Sequence, residues 1–188
     1  AESHRRAAQA QQEGRFREQI VSVEIKGRGG AHMFEVDEHV RADVSSEALG
    51  VLLTIFRKDG GTVTAGNASG INDAGAALVL ASAATAETCG LTPRARVVSW
   101  GHAGVAPEVM GLGPVEAVPI ALKRAGLSLD DIDVIEANEA FAAQACAVAK
   151  LLDLPPEKVN PNGSGIGLGH PVGATGAIPA SLGVVEGG

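Results

Sequence analysis

At 188 residues the chain is long enough for one globular domain or parts of two, and for a sizeable core without disulfide or metal staples. A hydrophobic fraction of 45% with 20% charged residues excludes a disordered chain, and 22 acidic against 15 basic side chains leave a net charge of −7. With 3% aromatics, no Tyr and an acidic balance, it has neither the stacking platforms nor the positive field of a nucleic-acid binder, so no nucleic acid is expected as partner. No run of 18 apolar residues occurs, and the longest, residues 74–81, is made mostly of small side chains, so no membrane partner is expected either. Cys89 and Cys146 stand apart, with no zinc spacing and no disulfide framework, so no metal site is expected and a reducing, cytoplasmic setting fits. The first six residues carry basic side chains with no apolar run behind them and no initiator Met, which reads as the interior of a longer product rather than a secretory signal.

In chain order, residues 1–13 are rich in Ala, Gln, Glu and Arg and predict a helix that Gly14 ends. Alternating apolar side chains over residues 20–25 predict a short strand, and residues 26–61 read as loop with a short helix around 47–56. Residues 62–70 read as a strand entering a turn of small residues. Asn72 or Asp73 then caps a helix that Gly90 closes, and its almost wholly apolar stretch over 74–84 predicts burial between layers. A strand at 96–100, a helix from Pro114 to Gly126, a strand at 134–137, a helix ending at Leu152 before Pro155-Pro156, and a strand at 158–161 follow. A glycine-rich turn leads to His170-Pro171, which opens another helical stretch. This alternation predicts an α/β fold with a mostly parallel sheet, in which chemistry gathers beyond the carboxyl ends of the strands. Asn138 and His170 both fall there.

The glycines from 163 to 169 satisfy neither the G-x-G-x-x-G dinucleotide spacing nor a phosphate-binding P-loop, and neither G-x-S-x-G nor H-E-x-x-H occurs. What they offer is a backbone of minimal bulk with an imidazole at its end. That imidazole can serve as base or hydrogen-bond partner, or can simply cap the turn. The Asn138 amide can donate to an oxyanion or a bound water, or can cap the helix that follows.

Three segments carry a resemblance: residues 61–73 (Gly-Thr-Val-Thr-Ala-Gly-Asn-Ala-Ser-Gly-Ile-Asn-Asp), residues 138–144 (Asn-Glu-Ala-Phe-Ala-Ala-Gln), and residues 162–176, which include Gly-His-Pro. In order and spacing they resemble the thiolases, the acyl-CoA C-acyltransferases, and most closely the bacterial acetyl-CoA acetyltransferase and β-ketothiolase branch. The resemblance implies a layered αβαβα fold, incomplete here: residues 1–71 as the tail of a CoA-covering loop domain, 72–93 as the last helix of the N-terminal half, and 94–188 as a truncated C-terminal half. It implies a ping-pong Claisen reaction through a cysteine acyl-enzyme, or its reverse thiolysis, with coenzyme A thioesters as substrates and no separate cofactor.

By the same resemblance His170 activates the nucleophilic cysteine, and His170 with a water held by Asn138 polarises the thioester oxygen. Ser69 falls near the pantetheine, Arg41 near the nucleotide end, and Phe56, Ala65, Ala140 and Phe141 along the channel. Read locally, Ser69 can satisfy its turn, Arg41 can be a solvated charge, and Phe56 and Phe141 can be core aromatics. Neither Cys89 nor Cys146 aligns with a reactive cysteine of the family; those two segments fall outside residues 1–188, and after Ala177 the sequence departs from the family's helix. The retained Asn138 and His170 argue for an acyltransferase that is not competent as this chain alone, and homotetrameric when complete. The absent thiols leave open a non-catalytic, acyl-CoA-binding relative.

Overall fold

The computed structural model describes residues 1–178. Helix α1, Glu2–Gln12, forms where the sequence predicts it, and Gly14, at φ +73°, ends it. Glu2 sits in its first turn and bonds Arg5 and Arg6. The Arg5 guanidinium, with Arg6 behind it, pulls the Glu2 carboxyl down to about 2. Strands β1 (Val23–Gly27) and β2 (Gly30–Phe34) pair antiparallel from Val23↔Phe34 to Gly27↔Gly30. The predicted strand at 20–25 therefore starts later and belongs to a hairpin, which Gly30 (φ +111°) helps to turn.

Helix α2, Ser46–Gly50, is short and capped by Ser45, whose hydroxyl accepts from the Ala48 amide at 3.1 Å. Helix α3 spans Ala83–Thr88, with Ser82 as its cap. The predicted buried helix over 74–84 is thus corrected. Residues 71–82 carry no helix, and Val79 (91% exposed) and Leu80 (78%) face solvent. The capping hydroxyl lies at Ser82, well after Asn72, so the helix starts there. A segment without caps whose apolar side chains find no covering layer has little to hold it helical.

A 3-10 turn at Pro107–Leu112 leads into α4, Gly113–Ala125, which Gly126 closes in the left-handed region at φ +69°. Helix α5 covers Ala142–Leu151, later than the sequence suggests, because Phe141 is extended and forms an antiparallel bridge with Ala68. The predicted strand at 96–100 does not form. Its residues are instead tied to α4: the Ser99 hydroxyl donates to Ala121 O at 2.7 Å, and Arg124 Nη1 donates to Trp100 O at 2.7 Å. Of the expected parallel pairing, the described residues retain the Ile135↔Val159 bridge, held by Ile135 N to Lys158 O (2.8 Å) and Asn160 N to Ile135 O (2.9 Å). A strand persists only where a neighbour satisfies its ladder, and among the described residues none pairs with the exposed Val97 and Val98.

The buried centre lies where α1 crosses α6, Gly165–Leu168, a helix inside the glycine-rich turn. Ala7 and Ala10 are almost fully buried, as is Ile166 opposite them. The approach is so close that a Cβ on Gly163 would stand 2.6 Å from Ser3 O, and one on Gly167 2.9 Å from the same oxygen. Small residues on both elements are what this crossing demands. Arg6 adds a polar strap, bonding Val159 O, Asn160 O (3.3 Å) and Pro156 O (3.1 Å).

Candidate functional site

Three loops meet over this crossing: residues 67–72, residues 137–142 and residues 164–175. The first two join through backbone bonds, Ser69 N to Ala140 O and Ala142 N to Asn67 O, both 2.9 Å. The third joins the first where the His170 amide donates to Gly70 O (3.1 Å) and Asn72 Oδ1 (3.2 Å). Ser164 joins the third to the second: its hydroxyl donates to Ala137 O at 3.0 Å and lies 3.3 Å from the Glu139 amide. Ser164 is itself held from below by Ser3, whose Oγ receives the Ser164 and Gly167 amides, each at 3.1 Å. Asn160 fixes the start of the middle loop, accepting from Ala137 N (2.7 Å) and donating to Ala137 O (2.8 Å). It adopts φ +47°, which an Asn tolerates better than most residues.

This frame brings Asn138 and His170 together across 32 positions of sequence. Asn138 Nδ2 lies 3.4 Å from His170 Nδ1 and 3.3 Å from Nε2, so the amide straddles both ring nitrogens. Both side chains are half-buried, open enough for a ligand and enclosed enough to weaken competition from bulk water. His170 does not open a long helix among the described residues. It follows Gly169, the last cap of α6, and precedes one turn in which Pro171 O accepts from Ala174 N (2.8 Å) and Thr175 N (2.9 Å). Two residues that sequence reasoning left without a site role touch the imidazole's residue directly: Asn72, read there as a helix cap, and Thr175, whose hydroxyl stands 2.7 Å from Nδ1. Their signal was positional, both lying inside the segments that carry the resemblance.

The remaining predicted residues are spread more widely. Phe56 and Phe141 meet edge to face, with centroids 6.4 Å apart and planes at 73°. Ser69, Ala140 and Phe141 lie on the joined loops, half-buried, while Ala65 is exposed beside the buried Thr64. Arg41 is exposed, and its amide donates to His4 Nδ1 at 3.1 Å. His4 in turn stacks on His39, centroids 6.3 Å apart. Burial, then the charges of His39, the N-terminal amine and Arg41, disfavour a proton on His4 and hold its pKa below the usual histidine value. A cavity of about 580 Å³ lies between Ile20, Phe34, Asp37, His39 and Asn72, so it borders the His170 loop through Asn72 without being lined by Asn138 or His170. Cys89 caps α3 and Cys146 lies on α5; both are exposed. Among the described residues no cluster of His, Cys, Asp and Glu is placed to hold a metal, and no helix is long and apolar enough to cross a membrane.

Residues 1–84 match the thiolase N-terminal domain family model, and residues 91–182 the thiolase C-terminal domain model. The chain is 63% identical over 177 residues to the beta-ketothiolase BktB of Cupriavidus necator, covering 94% of this chain and 45% of that protein. Its fold matches the crystal structure of the Bacillus anthracis acetyl-CoA acetyltransferase with a TM-score of 0.90 and 52% identity, over 98% of this chain and 46% of that one. It likewise matches human mitochondrial 3-ketoacyl-CoA thiolase in complex with CoA, with a TM-score of 0.85 and 40% identity, over 98% and 45% of the two chains. The chain therefore spans about half the length of the relatives it matches.

Proposed function

The chain belongs to the thiolase family, and on that premise we propose that it serves as the thioester-oxygen and CoA-facing part of an acyl-CoA C-acyltransferase. The observation that carries this reading is the placement of the Asn138 amide within 3.4 Å of both His170 ring nitrogens, on loops locked to one another by backbone bonds.

In the proposed reaction the His170 imidazole takes the proton of a cysteine thiol. The thiolate attacks the carbonyl carbon of an acyl-CoA, the bond to the CoA sulfur breaks, and CoA leaves with a proton given by a second cysteine thiol, while His170 keeps the proton it took. That second cysteine, now a thiolate, then removes an α-proton from acetyl-CoA. The enolate oxygen receives hydrogen bonds from protonated His170 and from a water held by Asn138 while its carbon attacks the acyl-enzyme, forming the new C–C bond and releasing the first cysteine. The bonds His170 makes run to Asn138, Thr175, Asn72 and Gly70, not to Cys89 or Cys146. We assign the reactive thiols to parts of the thiolase outside this chain.

CoA is proposed to run past Phe141 and Phe56, with Ser69, Ala65 and Ala140 beside the pantetheine and Arg41 toward the nucleotide. The edge-to-face aromatic pair and the exposed guanidinium support that path. A homotetrameric assembly and a cytoplasmic setting belong to the same proposal; the sparse, free cysteines are compatible with the latter.

The test is a graft: residues 1–177 replace the matching segment of a complete homologous thiolase, and CoA release is measured with acetyl-CoA. Turnover that falls roughly 10²- to 10⁴-fold on His170→Ala supports the reading. A folded graft that turns over but is indifferent to His170→Ala refutes it. One that binds CoA tightly without turnover favours the non-catalytic alternative.

A further inference from the structure

We propose that Thr175 is the positioning residue that sets the tautomer of His170, an inference that rests on the acyltransferase reading and extends it to the proton inventory of the site. The Thr175 hydroxyl has one proton to donate, and Pro171 O takes it at 3.0 Å, the i−4 back-bond that a threonine makes at a helical turn. The same oxygen lies 2.7 Å from His170 Nδ1. With its proton committed to the carbonyl, Oγ1 faces Nδ1 as a lone pair, so Nδ1 carries the hydrogen. In the neutral ring Nε2 is then the acceptor.

A second contact accommodates the same state. Asn138 Nδ2 is a donor 3.3 Å from Nε2 and 3.4 Å from Nδ1, so once the Thr175 contact places the hydrogen on Nδ1, the lone pair that the amide meets is that of Nε2. Threonine therefore specifies the tautomer, and asparagine is satisfied by it. It leaves on Nε2 the lone pair that can accept a proton from a thiol, after which Nε2–H can donate to the thioester oxygen. In the opposite tautomer, Nε2 would meet an incoming thiol with a hydrogen already in place, and the first proton transfer would have no acceptor.

The backbone supports this role. The His170 amide is fixed by Gly70 O and Asn72 Oδ1, so the residue is held at its main chain, and Thr175 completes the restraint at the ring. Thr175→Val keeps the shape and β-branching but removes the oxygen; Thr175→Ser keeps the oxygen and removes the methyl.

In the active graft, Thr175→Val should lower kcat about 10- to 100-fold, the range seen when a partner orienting a functional histidine is lost, with KM for the acyl-CoA changed less than about threefold. Thr175→Ser should retain kcat within about threefold. Wild-type kcat in Thr175→Val overturns the inference, and so does equal impairment of the Val and Ser variants, which would mark the methyl as the important group. If Thr175→Val is unimpaired while His170→Ala is inactive, only this inference fails. If His170→Ala is also unimpaired, the acyltransferase reading fails with it.

Discussion

Gly165 stands against the Asn138 side chain, and replacing it tests whether that amide's position matters. A Cβ built there lies 2.7 Å from Asn138 Oδ1 and 3.1 Å from Glu139 O. An ordinary carbon–oxygen contact begins near 3.4 Å, so Gly165→Ala demands about 0.7 Å of relief from the amide and about 0.3 Å from the backbone. The Glu139 carbonyl belongs to the loop pinned by Ser164, so the amide is the softer of the two and should move. A 1 Å misplacement of a positioned group costs on the order of 10²-fold, so this shift should cost roughly 10- to 100-fold in kcat. Overpacking should cost about 1–3 kcal/mol of stability, partly offset by about 1 kcal/mol because Ala suits α6 better than Gly. Steady-state kinetics of the graft, paired with thermal unfolding, separate the two effects. Gly165→Ala added to Asn138→Ala should cause little further loss, since the displaced group is already gone. An unchanged kcat in the single variant, or losses that multiply fully in the double variant, would refute the reasoning.

Two further outcomes follow from other parts of the structure. His4 resists protonation in the fold, chiefly through burial and the charge of His39, with Asp43 opposing. Its contribution is therefore complete above the unfolded histidine pKa, near 6.5, and is lost as pH falls below it, when the unfolded chain takes up a proton that the folded ring refuses. Acidification from pH 7.5 to 5.5 should lower the melting temperature more in the native sequence than in His4→Gln, and equal slopes would contradict this. Separately, the chain alone leaves Ile71 (95% exposed), Val79 and Leu80 in solvent. Light scattering on a sizing column should find it associated rather than monomeric, whereas a sharp monomer that unfolds cooperatively would show that these side chains need no cover.

How much of this was legible in the sequence depended on whether the cause was local. α1 is fixed by its own helix formers and by Gly14, and α4 by Gly126; both formed where their residues placed them. The segment over 71–82 has apolar character and a candidate cap at Asn72, but the Asn72 side chain accepts from the distant His170 amide, so the segment's state depends on tertiary contacts that composition alone cannot state. The start of α5 moved for a similar reason: Phe141 is drawn into an extended bridge by Ala68, a partner distant in sequence. Asn138 and His170 could be singled out because short motifs surround them. Thr175 could not be given a role until its hydroxyl was seen between Pro171 O and the imidazole. A threonine five positions on is otherwise only a helical-turn residue.

The distribution of burial explains why the three loops hold together while so much apolar surface is exposed. Ser3, Asn160, Asn162 and Ser164 are all buried, and together they underlie the loops that carry Asn138 and His170. Each has hydrogen-bond partners: Ser3 with Ser164 and Gly167, Asn160 with Ala137, Asn162 with Arg15 at 2.9 Å, Ser164 with Ala137. A buried polar group left without its partner costs more than the bond itself returns, so such a network resists partial loosening. Apolar contacts tolerate sliding, whereas these bonds specify distance and direction. The order of the site therefore rests on directed polar bonds beneath it, with the alanine–glycine crossing of α1 and α6 bringing their donors and acceptors within reach. This is how a chain with a small apolar core can still place an amide and an imidazole 3.3 Å apart.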